Sequence, residues 1–330
     1  MAVLLPILQL AGGLALLIIG AELMVRGAAR LAHAFGISSF VVGLTVVAFG
    51  TSAPELGGSL RAAFEGDGDL AIGAVVGSNI ANICLVMGTA AVICPIPVRL
   101  KGIRGETIAM LIATAAGLIA MLGPSVHRIE GIVLTAGLIL FTLRAYLSGR
   151  RASPDEASEL ARAAKELDEE LSVGDGPRLP LSIALLIAGL VMLYFGSGML
   201  VTGATVLAEM IGVSSAVIGL SIVAFGTSVP ELSLSVVAAL RKQPDIAIGN
   251  IVGSNVFNIL CVLGLTALIS PNALPVPAEL WRRDAWVLIF VSLACLPILG
   301  RMRHVSRLEG VVLLGLYAGY MAALFLMRGE

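Results

Sequence analysis

Gly43-Leu-Thr-Val-Val-Ala-Phe-Gly-Thr-Ser-Ala-Pro-Glu-Leu56 lies inside a long apolar run, yet it carries Thr51, Ser52, Pro54 and the carboxylate of Glu55. A charge at membrane depth costs about 2.5–3.5 kcal/mol on insertion scales, so such a residue marks a functional site by default. The stretch recurs as Gly219-Leu-Ser-Ile-Val-Ala-Phe-Gly-Thr-Ser-Val-Pro-Glu-Leu232, displaced by 176 residues, which sets Glu231 opposite Glu55. A duplicated buried acid implies a site with internal symmetry.

The rest of the chain fits a membrane setting. Of 330 residues, 58% are hydrophobic and only 13% charged, about half the charge of an ordinary soluble protein. About ten apolar runs approach spanning length, which predicts a polytopic all-α membrane protein. A net charge of −1 offers no electrostatic case for binding nucleic acid. Cys84, Cys94, Cys261 and Cys295 lack CxxC spacing and read as small apolar core residues. The first run has neither a basic leader nor a small-residue cleavage site, and is read as a retained span.

The spans fall at 3–25, 38–60, 70–93, 105–123 and 129–147, then at 180–202, 213–240, 246–269, 285–300 and 308–327. Residues 1–147 and 180–330 thus form two five-span units joined by a polar segment, 148–179. The repeat reaches well beyond the opening stretch. Gly20-Ala-Glu-Leu-Met-Val-Arg-Gly-Ala28 aligns with Gly196-Ser-Gly-Met-Leu-Val-Thr-Gly-Ala204, and Gly77-Ser-Asn-Ile-Ala-Asn82 with Gly253-Ser-Asn-Val-Phe-Asn258, at the same offset. Five spans is an odd number, so the second unit enters from the opposite face. The expected fold is ten transmembrane helices in two inverted five-helix repeats. With both termini outside, sixteen of the 21 basic residues fall on cytoplasmic connections, Arg26 and Arg30 among them. Leu160, Ala163, Ala164, Leu167 and Leu171 give the segment 148–179 the pattern of a solvated amphipathic linker helix.

Pro54 and Pro230 withdraw the backbone donors that would pair with the carbonyls of Gly50 and Gly226. Helices 2 and 7 are therefore expected to be broken at the centre, unwound through 48–51 and 224–227, with the freed carbonyls available to cations. Thr51 and Glu55 share a helical face, as do Ser78 and Asn82, Thr227 and Glu231, and Ser254 and Asn258. This inventory of carboxylates, hydroxyls, amides and carbonyls suits hard cations such as Ca²⁺ and Na⁺, not zinc or copper. Two carboxylates about 4 Å apart repel by roughly 4 kcal/mol at an effective dielectric near 20, so the pair calls for protons or cations. One Ca²⁺ or two Na⁺ would balance them. For Ser52, Ser228, Asn79 and Asn255, plain helix packing remains an open alternative. Glu22 is read as a structural partner of Arg26, and the glycines at 12, 13, 20, 27, 189, 196 and 203 as points of close helix approach.

At Gly50-Thr-Ser-Ala-Pro-Glu55, Gly226-Thr-Ser-Val-Pro-Glu231 and the two Gly-Ser-Asn-x-x-Asn motifs, the chain resembles the cation/Ca²⁺ exchanger superfamily, in its sodium/calcium exchanger branch. The resemblance covers essentially all ten spans. It implies an antiporter of Na⁺ and Ca²⁺ working by alternating access, with spans one and six sliding past the core. It further implies that Glu55 and Glu231 bind Ca²⁺ with the carbonyls of Thr51 and Thr227. Na⁺ sites would add the carbonyls of Ala48 and Ala224 and the side chains of Thr51, Ser52, Ser78, Thr227, Ser228 and Ser254, with Asn82 and Asn258 lining the centre. One position departs: exchangers often place an aspartate where this chain has Asn258, the acid that potassium-dependent members use. The proton/calcium branch typically has Gly-Asn-Ala in place of Gly-Thr-Ser.

The alternatives are an H⁺/Ca²⁺ or K⁺-dependent Na⁺/Ca²⁺ antiporter of the same superfamily, a passive channel, and an intramembrane hydrolase using Ser52. The last lacks a histidine or lysine beside Ser52 to act as base and leaves the duplication unexplained. No cofactor, nucleic acid or obligatory protein partner is indicated, and the ions are cargo.

Overall fold

A computed structural model describes residues 3–98, 103–148, 179–211, 224–300 and 304–326. The protein is helical and crosses the membrane many times. Its helices are α1 (Leu4–Phe35), α2 (Ser39–Glu65), α3 (Gly68–Ile93), α4 (Ile103–Ala120), α5 (Arg128–Ser148), α6 (Leu179–Met210), α7 (Val229–Leu240), α8 (Pro244–Ile269), α9 (Leu280–Gly300) and α10 (Arg307–Leu326). Among the described residues, nine helices are long and apolar enough to span. The tenth, α7, is described only from its signature onward, because 212–223 lie outside the described set. Within the expected linker 148–179, residues 149–178, and with them the amphipathic pattern from Leu160 to Leu171, also fall outside it.

Two short antiparallel pairings test the inverted topology. β1 (Ile96–Pro97) pairs with β4 (His304–Val305), and β2 (Ser125–Val126) with β3 (Leu274–Pro275). Each pair joins a loop of one repeat to a loop of the other, so the two loops share a membrane face. The chain must cross the bilayer an even number of times between β2 and β3. Helices α5, α6 and α8 supply three crossings, which leaves the fourth to α7. The result is ten spans in two inverted five-helix repeats.

Helices α1 and α6 are longer than their apolar runs suggest. Each has 32 residues, about 48 Å at 1.5 Å per residue, against a hydrocarbon core of about 30 Å. They must therefore lie tilted. Arg26 and Arg30 belong to α1 and not to the connection where they were expected. Glu22 pairs with Arg26 one turn on, and Arg30 is buried, so charge does not end the helix.

The two long helices pack antiparallel along a seven-residue seam. Pro6, Gly13, Gly20 and Gly27 face Gly203, Gly196, Gly189 and Ser182, in that order. A Cβ on Gly13 would stand 2.8 Å from the Gly196 carbonyl oxygen, and one on Gly189 2.6 Å from that of Gly20. Backbone rests on backbone, the close approach small residues permit in membranes. Behind this pair sit α2, α3, α7 and α8, with α8 the most enclosed span and α10 among the most exposed. Gly249 and Gly253 bring α8 just as close to α2, against the carbonyls of Phe40 and Leu44.

Candidate cation site

Both signature turns are present, but they are not unwound where expected. Ala48–Thr51 and Ala224–Thr227 are each helical. The interruption is one residue long, at Ser52 (φ −84°, ψ 0°) and Ser228 (φ −93°, ψ 0°), with the proline opening the helix that follows. The cause is local. Proline deletes one N–H, yet the serine two residues before it still donates its own, Ser52 to the Ala48 carbonyl and Ser228 to the Phe225 carbonyl, both at 3.0 Å. The Ala48 carbonyl thus already accepts a hydrogen bond, and Thr51 Oγ1 also reaches it at 3.3 Å.

A second irregularity was not foreseen. Helices α3 and α8 each widen to π geometry at the predicted site asparagine, over Asn82–Val86 and Asn258–Leu263. Helix α2 does so over Gly43–Val47, just before its signature. Single π turns inside α-helices gather at functional sites.

Ser52, Glu55, Ser78 and Asn82 are buried in the first repeat, and Ser228, Glu231, Ser254 and Asn258 in the second. Thr51 meets the other repeat: its Oγ1 lies 3.2 Å from Asn250 Oδ1 and 3.4 Å from Ser254 Oγ. The Glu55 carboxyl is within electrostatic range of Glu231, and Thr51 sits beside the Glu231 carboxyl. Thr227 is the exception, exposed where Thr51 is fully buried. Asn79 and Asn255 each donate to the carbonyl one turn back, of Val75 at 2.8 Å and Ile251 at 2.7 Å, so their amide nitrogens serve the helix itself.

One set of atoms follows the two-fold relation closely. Ser52 Oγ, Glu55 Oε2, Asn79 Oδ1 and Asn82 Oδ1 are buried oxygens without a protein hydrogen-bond partner, and so are Ser228 Oγ, Glu231 Oε2, Asn255 Oδ1 and Asn258 Oδ1, each 176 residues on. Buried polar atoms are nearly always satisfied, and leaving one unmet costs about 1–3 kcal/mol. Oxygen acceptors without donors are what a dehydrated Ca²⁺ or Na⁺ requires.

A model of the family described as sodium/calcium exchanger protein matches residues 5–147 and 181–326. The chain belongs to the sodium/calcium exchanger family. Sodium/calcium exchanger MaX1 of Methanosarcina acetivorans is 30% identical over 95% of this chain and 96% of its own length. Inner membrane protein YrbG of Escherichia coli is 35% identical over 95% and 94%. The structure of the sodium-calcium exchanger NCX_Mj soaked with zero Na⁺ and Ca²⁺ superposes with a TM-score of 0.81 at 31% identity, covering 98% of this chain and 99% of that one.

The repeat drew attention to duplicated residues and so passed over two that are not, Asn250 and Ser197, and left Glu22 with Arg26 alone. Asn250 stands opposite Ala74, Ser197 opposite Ala21, and Glu22 opposite Gly198. Ser197 Oγ donates to the Gly226 carbonyl at 2.6 Å, the very oxygen that Pro230 leaves without its helical donor. Glu22 accepts from Arg241 Nε at 2.7 Å in addition to Arg26. For Asn250 a signal existed: Asn250, Ser254 and Asn258 extend the i, i+4 face by one turn.

Proposed function

We propose that this exchanger carries Ca²⁺ and Na⁺ alternately through one site at the contact of its two repeats. Glu55 and Glu231 are the charge-bearing ligands, joined for Ca²⁺ by the carbonyls of Thr51 and Thr227. Na⁺ is held in addition by the Ala48 and Ala224 carbonyls and by the side chains of Thr51, Ser52, Ser78, Thr227, Ser228 and Ser254, with Asn82 and Asn258 lining the centre. The observation that carries this reading is the two-fold set of buried oxygens without protein partners. The Ala48 carbonyl already accepts from the Ser52 N–H, so a cation entering there shares that oxygen with the hydrogen bond or displaces it. Two carboxylates match one Ca²⁺ or two Na⁺, and a site that crosses only when its charge is matched exchanges ions without leaking them.

In the proposed cycle α1 and α6 move together across α2 and α7, exposing the site to one face and then the other. The off-centre position of the pair supports this. Ser197 and Val201 of α6 bear on Gly226, while a Cβ placed on Gly50 would meet Leu190 and Met24 only at 3.5 and 3.6 Å. A mirrored state would bring Ala21 and Val25, the counterparts of Ser197 and Val201, against Gly50. Residues 1–147 and 180–330 act as the two halves, and 148–179 lies in the cytoplasm with both termini outside. The ions are cargo: no bond chemistry, cofactor or protein partner is required.

Purified protein in liposomes tests the assignment. Loaded with Na⁺ and diluted into Na⁺-free medium, the vesicles take up ⁴⁵Ca. Uptake driven by a pH gradient but not by Na⁺ would assign the protein to proton/calcium exchange instead.

A further inference from the structure

We infer that Asn250 is a positioning residue that braces the two halves of the cation site, fastening Thr51 of the first repeat to the Glu231 turn of the second. The inference rests on the reading of Glu55 and Glu231 as the ion-binding pair. Asn250 is fully buried in α8, one turn before Ser254 and two before Asn258, so the three share a face. Its amide nitrogen donates to Ser235 Oγ at 3.1 Å and reaches the main-chain carbonyl of Glu231 at 3.5 Å. Its Oδ1 accepts from the Thr51 hydroxyl at 3.2 Å.

The amide has one workable orientation. The Glu231 carbonyl is only an acceptor, so turning the amide over would set two acceptors face to face. Oδ1 is therefore aimed at α2, where at 3.2 Å it competes for the single Thr51 proton with the Ala48 carbonyl at 3.3 Å and the Glu231 carboxyl, all three of them acceptors. A threonine whose proton is committed presents only lone pairs to anything else that approaches, which is what a cation needs from a hydroxyl.

The other repeat shows the arrangement without the amide. Ala74 takes the place of Asn250, and Ser59, the counterpart of Ser235, is left with a buried hydroxyl that has no partner. Thr227, the counterpart of Thr51, is exposed where Thr51 is fully buried. One non-duplicated side chain thus accompanies the difference between the two half-sites.

The test is the full-length protein in liposomes, with equilibrium ⁴⁵Ca binding by the purified protein alongside. Asn250→Ala is expected to raise the half-saturating Ca²⁺ concentration about tenfold, the value of one buried hydrogen bond, while the maximal rate per folded molecule holds. Ser235→Ala should move half-saturation the same way by less. Thr51→Val should weaken binding too, and Asn250→Ala added to it should weaken binding no further, since both remove one coupled contact. An unchanged half-saturation in Asn250→Ala with lowered thermal stability would reduce Asn250 to a packing residue and overturn the inference. So would simple additivity with Thr51→Val. If Asn250→Ala fails to fold, Ser235→Ala decides: unchanged half-saturation there counts against the brace. Should Glu231→Gln leave uptake intact, the paired-carboxylate reading itself fails, a result distinct from these.

Discussion

The two signature turns differ at three of fourteen positions, Thr45/Ser221, Val46/Ile222 and Ala53/Val229, yet they sit in different surroundings. Around Gly226, α6 closes in: Ser197 bonds its carbonyl, and a Cβ there would overlap the Val201 side chain. Around Gly50 there is room for a methyl group. The long pair also leans on α7, with Met24, Ala28 and Ala32 in one apolar cluster with Val229, Leu234 and Ala238. The Ala53–Glu65 part of α2 adds no described residue to that cluster. The signature residues are thus duplicated and the frame around them is not. On the proposed cycle, duplication would let two opposite faces use one site in turn. The non-duplicated contacts would then favour one of the two resting arrangements over the other.

The strongest way to break this comparison is to put a methyl group into each turn. Gly226→Ala should collide with Val201 and cost about 1–3 kcal/mol, as overpacking does, lowering exchange about tenfold or more. Gly50→Ala should leave exchange within about a factor of two, the range of an ordinary tolerated contact. Flux assays on both variants settle the order, and equal effects would mean that the pair does not favour one side.

Ser197→Ala removes a hydrogen bond from the closed side, and Ala21→Ser offers a matching one to Gly50. One such bond is worth about 1 kcal/mol, which moves a two-state balance about fivefold. Hydrogen exchange should then show lost protection over 224–232 in the first variant and gained protection over 48–56 in the second. The smallest effect belongs to Glu22→Gln. Its partner Arg241 is 56% exposed, so the ion pair contributes less than about 1 kcal/mol and fades with salt. The variant should change Na⁺ half-saturation by less than about threefold at low ionic strength, and not at all in high salt.

The same contrast explains what was legible in the sequence. A period of 176 residues identifies the inverted repeat and the signature residues without any coordinates, because duplication marks them. Helix ends were harder. The apolar run of α1 falters at Glu22, and only the Glu22–Arg26 pair and the burial of Arg30 show why the helix continues to Phe35. The single-residue interruption at Ser52 depends on its N–H still reaching Ala48, which proline spacing does not reveal. The π turns at Asn82 and Asn258 have no sequence marker at all. Ser197 and Asn250 were overlooked because their counterparts, Ala21 and Ala74, are apolar, and a search for matched pairs passes over the unmatched member.

The pairing of two acids, one contributed by each inverted half, is most directly tested by neutralising them one at a time. Na⁺-driven ⁴⁵Ca uptake should fall to the level of empty liposomes in Glu55→Gln and in Glu231→Gln alike, with the double variant no worse and both single variants still folded. Retention of substantial uptake by either single variant would contradict the shared site.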